Sequence, residues 1–194
     1  MPIPRDVLER LKAQDQQLTA LDFSRYYHLT TADIRDLTDA LRGNPHVVEL
    51  VLCDSEIDDE GACFLAAGLS TMPSLVELDV SANHIGNAGA AALFRVPTLK
   101  FLNIAANSVT DEAAQQLLEN TTLHYVRLNG NPVDTALVAK IDAQLDSNEQ
   151  RELAQLRNEL NGFVADLSLE ELKLALAAVK ESVQTQANKA VSAM

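Results

Sequence analysis

Apolar residues in this chain recur in one fixed arrangement. Five segments, starting at Leu18, Val47, Leu75, Leu99 and Leu123, align without gaps over their first half. The third reads Leu75-Val-Glu-Leu78-Asp-Val80-Ser-Ala-Asn83-His-Ile85. The fourth reads Leu99-Lys-Phe-Leu102-Asn-Ile104-Ala-Ala-Asn107-Ser-Val109, and the fifth Leu123-His-Tyr-Val126-Arg-Leu128-Asn-Gly-Asn131-Pro-Val133. Two apolar positions flanking one variable position, as in Leu78-Asp79-Val80, predict a short strand with one buried face.

The second half of each segment changes period. Gly61, Leu65 and Leu69 follow Ile57 at four-residue intervals, and Asp33, Leu37 and Leu41 follow Leu29 in the same way. Gly89 and Leu93 follow Ile85, and Ala113 and Leu117 follow Val109. This spacing predicts a helix in each segment. The residue after the buried aliphatic is Thr30, Asp58, Gly86, Thr110 or Asp134. All five are good helix N-caps, so two independent signals agree. Segment starts lie 29, 28, 24 and 24 residues apart. The shorter segments lack the last helical turn that carries Leu41 and Leu69, so their helices should be shorter.

Taken whole, the string LxxLxLxxNxLxxxGxxxLxxxL resembles the leucine-rich repeat of the ribonuclease-inhibitor-like class, over residues 18 to 141. The resemblance implies an α/β fold: a right-handed solenoid of about five repeats, with a parallel concave sheet and convex helices. It also implies a ladder in which Asn83, Asn107 and Asn131 hydrogen-bond buried loop backbone. Ser55 and Tyr26 occupy that slot in the first repeats, so the N-terminal loops should be less regular.

Both ends of a solenoid core need covering. Residues 1–17 read as an N-terminal capping segment, with Val7, Leu8 and Leu11 on one face of a helix between Pro4 and Asp15. Repeats occupy 18–145. Residues 146–194 read as two amphipathic helices. Leu153, Leu156, Leu160, Phe163 and Leu167 mark the first; Leu169, Leu172, Leu176, Val179 and Val183 mark the second, behind a Ser168-Leu-Glu-Glu171 capping box. Two roles stay open for this hairpin: a cap over the end of the sheet, or an arm that binds a partner or a second copy. The stretch from Gln184 to Met194 is small and polar and should fray.

Charge narrows the partner class. Fifteen Lys and Arg stand against 28 Asp and Glu, a formal net charge of −13 in 194 residues. Nucleic acids and anionic membranes need basic patches, so neither is an expected partner. Cys53 and Cys63 cannot frame a disulfide-built fold, which favours a reducing, cytoplasmic compartment. No secretory leader pattern and no apolar stretch of spanning length is legible.

Catalytic chemistry is not legible either. His28, His46, His84 and His124 form no metal or catalytic motif, and no nucleophile elbow, phosphate loop or dinucleotide fingerprint occurs. Cys53 has the acidic neighbours Asp54 and Glu56, which disfavour a thiolate. Cys63 reads as core packing within a helix. The run Asp58-Asp59-Glu60 suits a helix first turn for dipole reasons alone. No enzyme activity, cofactor or metal is expected.

Geometry then selects candidate binding residues. Residues between the inward leucines face outward. One row runs Ala20, Glu49, Glu77, Phe101, Tyr125. The next runs Asp22, Val51, Asp79, Asn103, Arg127, and a third Ser24, Cys53, Ser81, Ala105, Asn129. Asp22, Glu49, Glu77 and Asp79 make one side acidic. Phe101, Asn103, Tyr125 and Arg127 make the other aromatic and polar, in a chain with only eight aromatics. Tyr and Arg are enriched in interface hot spots, and acidic neighbours would steer a basic partner. Packing between cross-strand neighbours is the competing reading of Phe101 and Tyr125. A sheet of about 350 Å² falls short of the roughly 800 Å² per partner of a stable interface. The loops Asp54 to Asp58 and Ser81 to Ile85, or the C-terminal hairpin, would have to contribute.

The expected function is therefore a monomeric, non-catalytic module that binds a protein partner on its concave face and modulates it. The resemblance to ribonuclease inhibitor implies one form of modulation, occlusion of an enzyme's active site. The chain also resembles the small leucine-rich repeat effectors of intracellular bacteria such as Legionella, through Glu170, Glu171 and Glu181 ahead of Ala187 to Met194. That resemblance implies translocation into host cytosol. The alternative is a structural protein that self-associates through its C-terminal helices.

Overall fold

Each predicted alternation forms a strand of three residues: β1 (Ala20–Asp22), β2 (Glu49–Val51), β3 (Glu77–Asp79), β4 (Phe101–Asn103) and β5 (Tyr125–Arg127). In every strand the central Leu or Val is buried and its neighbours face out. The strands form one parallel sheet in chain order, β1-β2-β3-β4-β5. This computed structural model describes residues 3–24, 29–159, 168–171 and 173–174. The readings of Tyr26, His28, Leu160, Phe163, Leu167, Leu172, Leu176, Val179, Glu181, Val183 and the last residues fall outside that set.

Parallel neighbours need a crossover, and each repeat supplies one. Helices α1 (Arg5–Lys12), α2 (Thr31–Leu41), α3 (Asp59–Leu69), α4 (Asn87–Leu93) and α5 (Asp111–Ala114) precede or link the strands. Helix α6 (Thr135–Glu159) follows β5. The two long repeats carry helices of 11 residues, and the third carries 7. In the fourth, four α-helical residues tighten into a 3₁₀ turn, Gln115–Glu119. Missing sequence thus removes helix and leaves strand length unchanged.

The core lies between sheet and helices and is aliphatic. Leu50, Leu65, Leu69, Leu78, Leu93, Leu102 and Leu117 have no exposed surface. Thr30 closes α2 with a capping box on Asp33, and Asp58 accepts from the Gly61 amide of α3. Asp134 accepts from Ala136 and Leu137 at the start of α6. Gly86 and Thr110 are N-caps too, without a side-chain bond to their own helix.

Cys63 departs from the sequence reading: it is exposed, not in the core. Gly61, Ala62, Leu65, Ala66 and Leu69 turn the buried face of α3 inward. Two residues beyond Gly61 is about 200° around the helix, which takes Cys63 off the buried face, its Sγ 3.9 Å from the Ala88 carbonyl oxygen.

Two polar ladders tie the repeats together. In the first, Asn83 Oδ1 accepts from the amides of Ser55 (3.0 Å) and Ile57 (2.9 Å), while Nδ2 donates to Leu52 O and Val80 O, both at 2.9 Å. Asn107 takes the Ile85 amide and donates to Val80 and Ile104 carbonyls. Asn131 takes the Val109 amide and donates to Ile104 and Leu128 carbonyls. Each Asn thereby satisfies backbone of the preceding repeat, which would otherwise be buried without partners.

The second ladder was not foreseen and joins the helix starts. Asp59 Oδ1 accepts from the amides of Gly86 and Gly89, each at 2.8 Å. Asn87 Oδ1 accepts from the Thr110 amide at 2.9 Å, and Asp111 Oδ1 from the Asp134 amide at 2.8 Å. Here the first residue of one helix caps the start of the next.

The chain divides into two compact units, Met1–Asp146 and Ser147–Met194. In the first, α1 buries Leu11, and Val7 and Leu8 pack on the core. Asp15, after α1, accepts from the Gln17 amide and from Arg10 Nε at 2.8 Å. The amide bond, then the guanidinium, hold its carboxyl below the usual aspartate range. In the second unit, Ser168 N donates to the Glu171 carboxylate and Ser168 Oγ accepts from the Glu171 amide, forming the predicted capping box, and the hydroxyl also donates to that carboxylate. Those bonds hold Glu171 below the usual glutamate range. Lys173 pairs with Glu152 and Glu170.

Candidate functional site

Strand pairing assembles the outward rows in the expected register. Ala20, Glu49, Glu77, Phe101 and Tyr125 are successive partners, as are Asp22, Val51, Asp79, Asn103 and Arg127. Backbone pairing continues one step further: Asp54, Ala82 and Ala106 amides donate to Ser81, Ala105 and Asn129 carbonyls. The third row is therefore also aligned.

The aromatic end of this face is open to solvent. Phe101 is 38 % exposed and Tyr125 47 %. Arg127 lies two residues beyond Tyr125 on the same face, its guanidinium carbon 6.0 Å from the ring centroid. The Tyr125 hydroxyl first, and the Asp79 carboxylate as well, push the Arg127 pKa above its ordinary value. Phe101 also meets His124 edge-on, centroids 6.4 Å apart. His124 is buried, and it braces the exposed ring from behind.

The acidic end is less uniform than the sequence implied. Glu77 and Asp22 are exposed and Glu49 half-buried. Asp79 is already engaged: Oδ1 accepts from the amide and hydroxyl of Ser81, and Oδ2 from Asn103 Nδ2 at 2.7 Å. Asp22 Oδ1 accepts from the Ser24 amide, and Asn103 Oδ1 from the Ala105 amide. Three of the five residues in this row thus fasten the end of their own strand. Side chains of Asp and Asn reach an amide two residues on, which is the Asx-turn geometry. That spacing is visible in sequence, and it separates these three from Glu49, Glu77, Phe101, Tyr125 and Arg127.

One apolar pair was missed. Val48 is 42 % exposed and pairs through backbone with Val76, beside Glu49 and Glu77. The signal is the first variable position of each repeat. The loops beyond the strands hold Asp54 and Glu56 outward while Ser55 and Asn83 are buried. Asp54, Ala82, Ala106 and Gly130 occupy one loop slot and share a left-handed backbone, φ 53 to 75°.

With three-residue strands the sheet face measures about 20 by 10 Å. It is smaller than the sequence alone implied, so a stable interface would need Val48, Asp54 and Glu56 as well. Among the described residues no group of three or more His, Cys, Asp or Glu could hold a metal ion, and no helix is long and apolar enough to cross a membrane.

A family model described as Leucine Rich repeat matches residues 71–94. No curated protein sequence matches the chain. Among solved structures, the chain is similar to one titled Leiomodin-1 Actin-Binding Site 2. Identity is 26 %, the TM-score 0.67, and the match covers 82 % of this chain and 99 % of that one. It is also similar to the tropomodulin C-terminal domain of Caenorhabditis elegans, at 21 % identity and TM-score 0.65, over 79 % of this chain and 96 % of that one. The second likeness shows the fold alone. The chain folds as a leucine-rich repeat solenoid with a helix after its last strand.

Proposed function

We propose that this leucine-rich repeat domain is a non-catalytic module that binds a protein partner on the outer face of its sheet. One observation carries the reading: Phe101 and Tyr125 stand exposed side by side on β4 and β5, with Arg127 against Tyr125 and Glu49 and Glu77 in the same row. Aromatic and Arg anchors are the composition of an interface centre, and carboxylates beside them suit its polar rim. A basic patch on the partner would meet Glu49, Glu77, Asp54 and Glu56, and the aromatics would fill its apolar recess.

The structural likeness to an actin-binding region supports protein binding and makes actin the first partner to test. In its finer form the module acts as a monomer and regulates by covering a functional surface of its partner, an enzyme active site being one such surface. The effector resemblance extends this form to action on a host protein.

The test is capture of purified actin, and of lysate proteins, by wild type and by a Phe101→Ala, Tyr125→Ala, Arg127→Glu variant of matched melting temperature. The expected result is one partner held by wild type and weakened at least tenfold by the variant. Equal capture by both would overturn the assignment of the face.

A further inference from the structure

Strand β5 is the last of the sheet and pairs with β4 alone among the described strands. Its Tyr125 amide and Arg127 carbonyl bond inward, to Lys100 O and from Ile104 N. Strand alternation therefore turns the Val126 N–H and C=O to the outer edge. An unpaired edge of this kind is a template for another strand, and proteins usually cover or charge it.

Among the described residues a cleft of about 460 Å³ lies along that edge. Its volume falls within the roughly 300–1,000 Å³ of ligand-holding clefts. Val126, Leu128, Val133 and Val138 supply apolar wall. Asp142 and Asp146 stand one turn apart on α6, also lining the cleft. Both carboxylates are exposed, and neither is paired with a cation among the described residues. The cleft thus offers three features together: an edge able to hydrogen-bond main chain, an apolar wall, and carboxylates that no described cation pairs with.

We propose that the cleft receives an extended, Lys- or Arg-bearing segment of a protein partner, which adds to β5 as a sixth strand. Main-chain bonds to Val126 hold the segment, alternate side chains enter against Val133 and Val138, and a basic side chain reaches Asp142 and Asp146. This is strand addition, in which backbone gives affinity and side-chain pockets give selectivity. The site meets the outer face of the sheet at Tyr125 and Asn129, which border both.

A random heptapeptide phage library selected on the immobilised full-length chain tests the proposal. Enriched peptides should alternate apolar residues and carry Lys or Arg. On ¹⁵N-labelled protein they should shift the Val126, Leu128 and Gly130 amides and slow Val126 amide exchange at least tenfold. Asp142→Lys with Asp146→Lys should weaken them at least tenfold. Val138→Trp, which fills the cleft without adding charge beside the carboxylates, should do the same. Glu49→Gln, on β2 and away from the cleft, should leave them unchanged, which keeps this site apart from the sheet-face reading. Failure of any peptide to enrich, enrichment without basic residues, shifts that map elsewhere, or indifference to the double variant would overturn it.

Discussion

Asp59 Oδ1 accepts the Gly89 amide at 2.8 Å, across a repeat boundary, and Gly89 is where a side chain would collide with it. A Cβ on Gly89 would stand 2.8 Å from that oxygen and 2.7 Å from Ala62 Cβ. The glycine of the repeat string is therefore a place for the neighbour's carboxylate as much as a helix-packing residue. Asp59→Ala should lower stability by about 1–3 kcal/mol, because the Gly86 and Gly89 amides lose their acceptor. Asp59→Asn, which keeps an acceptor oxygen, should lose less. Gly89→Ala should also destabilise, by about 1–2 kcal/mol, overriding its better helix propensity. Urea midpoints of the three variants check the order; a neutral Gly89→Ala would contradict the close fit.

Thr38 and Gly68 set the closest approach of α2 and α3. A Cβ on Gly68 would stand 2.1 Å from Thr38 Cγ2 and 3.3–3.4 Å from the next Thr38 atoms. Gly68→Ala alone should cost about 1–3 kcal/mol. In a Thr38→Ala background the penalty should shrink to well under half, since the colliding methyl is gone. A double-mutant cycle measures this coupling. Additive behaviour would mean that the helices simply move apart.

Ala82 and Ala106 sit at φ 54° and 53°, where an L side chain is strained, and Gly130 holds the equivalent slot at 75°. Glycine relieves a strain of about 1–2 kcal/mol and costs about 0.5–1 in unfolded-state entropy. Ala82→Gly and Ala106→Gly should each stabilise by about 0.5 kcal/mol. Gly130→Ala should destabilise by about 1 kcal/mol, since its Cβ would also press within 3.2 Å of Ala106 Cα. Thermal melting of the three variants checks the opposite signs.

The depressed pKa of Asp15 makes the closure of α1 pH-dependent. Its stabilising bonds need the carboxylate, so the contribution is complete above the unfolded-state aspartate pKa and is lost as pH falls through the lower folded value. Wild type should melt above Asp15→Asn at neutral pH. The two should converge below the ordinary aspartate range. A carboxyl NMR titration of Asp15 gives the midpoint directly.

Periodicity made the sheet, the helices and the outward rows legible, because burying a Leu at every second strand position leaves one register. Helix shortening followed from 24-residue spacing for the same reason. Cys63 was misread because composition, not angle around the helix, was used to place it. The bonds of Asp59, Asn87 and Asp111 were illegible: each joins residues 23 to 30 apart, and polar residues at a helix start look alike whether they cap their own helix or the next. Asp79 and Asn103 leave their strands on the outward side, as strand parity implied, and both side chains are already bonded to neighbours. Parity says which way a side chain leaves the backbone and not what it then touches.

The two ladders run in opposite directions along the chain. Asn83 satisfies backbone of the repeat before its own, whereas Asp59 satisfies backbone of the repeat after. A repeat at either boundary therefore cannot open without orphaning buried groups in its neighbour. Removing one terminal repeat unravels contacts on the other side of the cut, so fraying from the ends carries a penalty that simple stacking would not impose. Nearest-neighbour coupling becomes large relative to the stability of any single repeat. The amides of Ile57 and Gly86, held from opposite sides, should then exchange with solvent through the same opening event, and the repeats should melt as one cooperative block rather than in sequence.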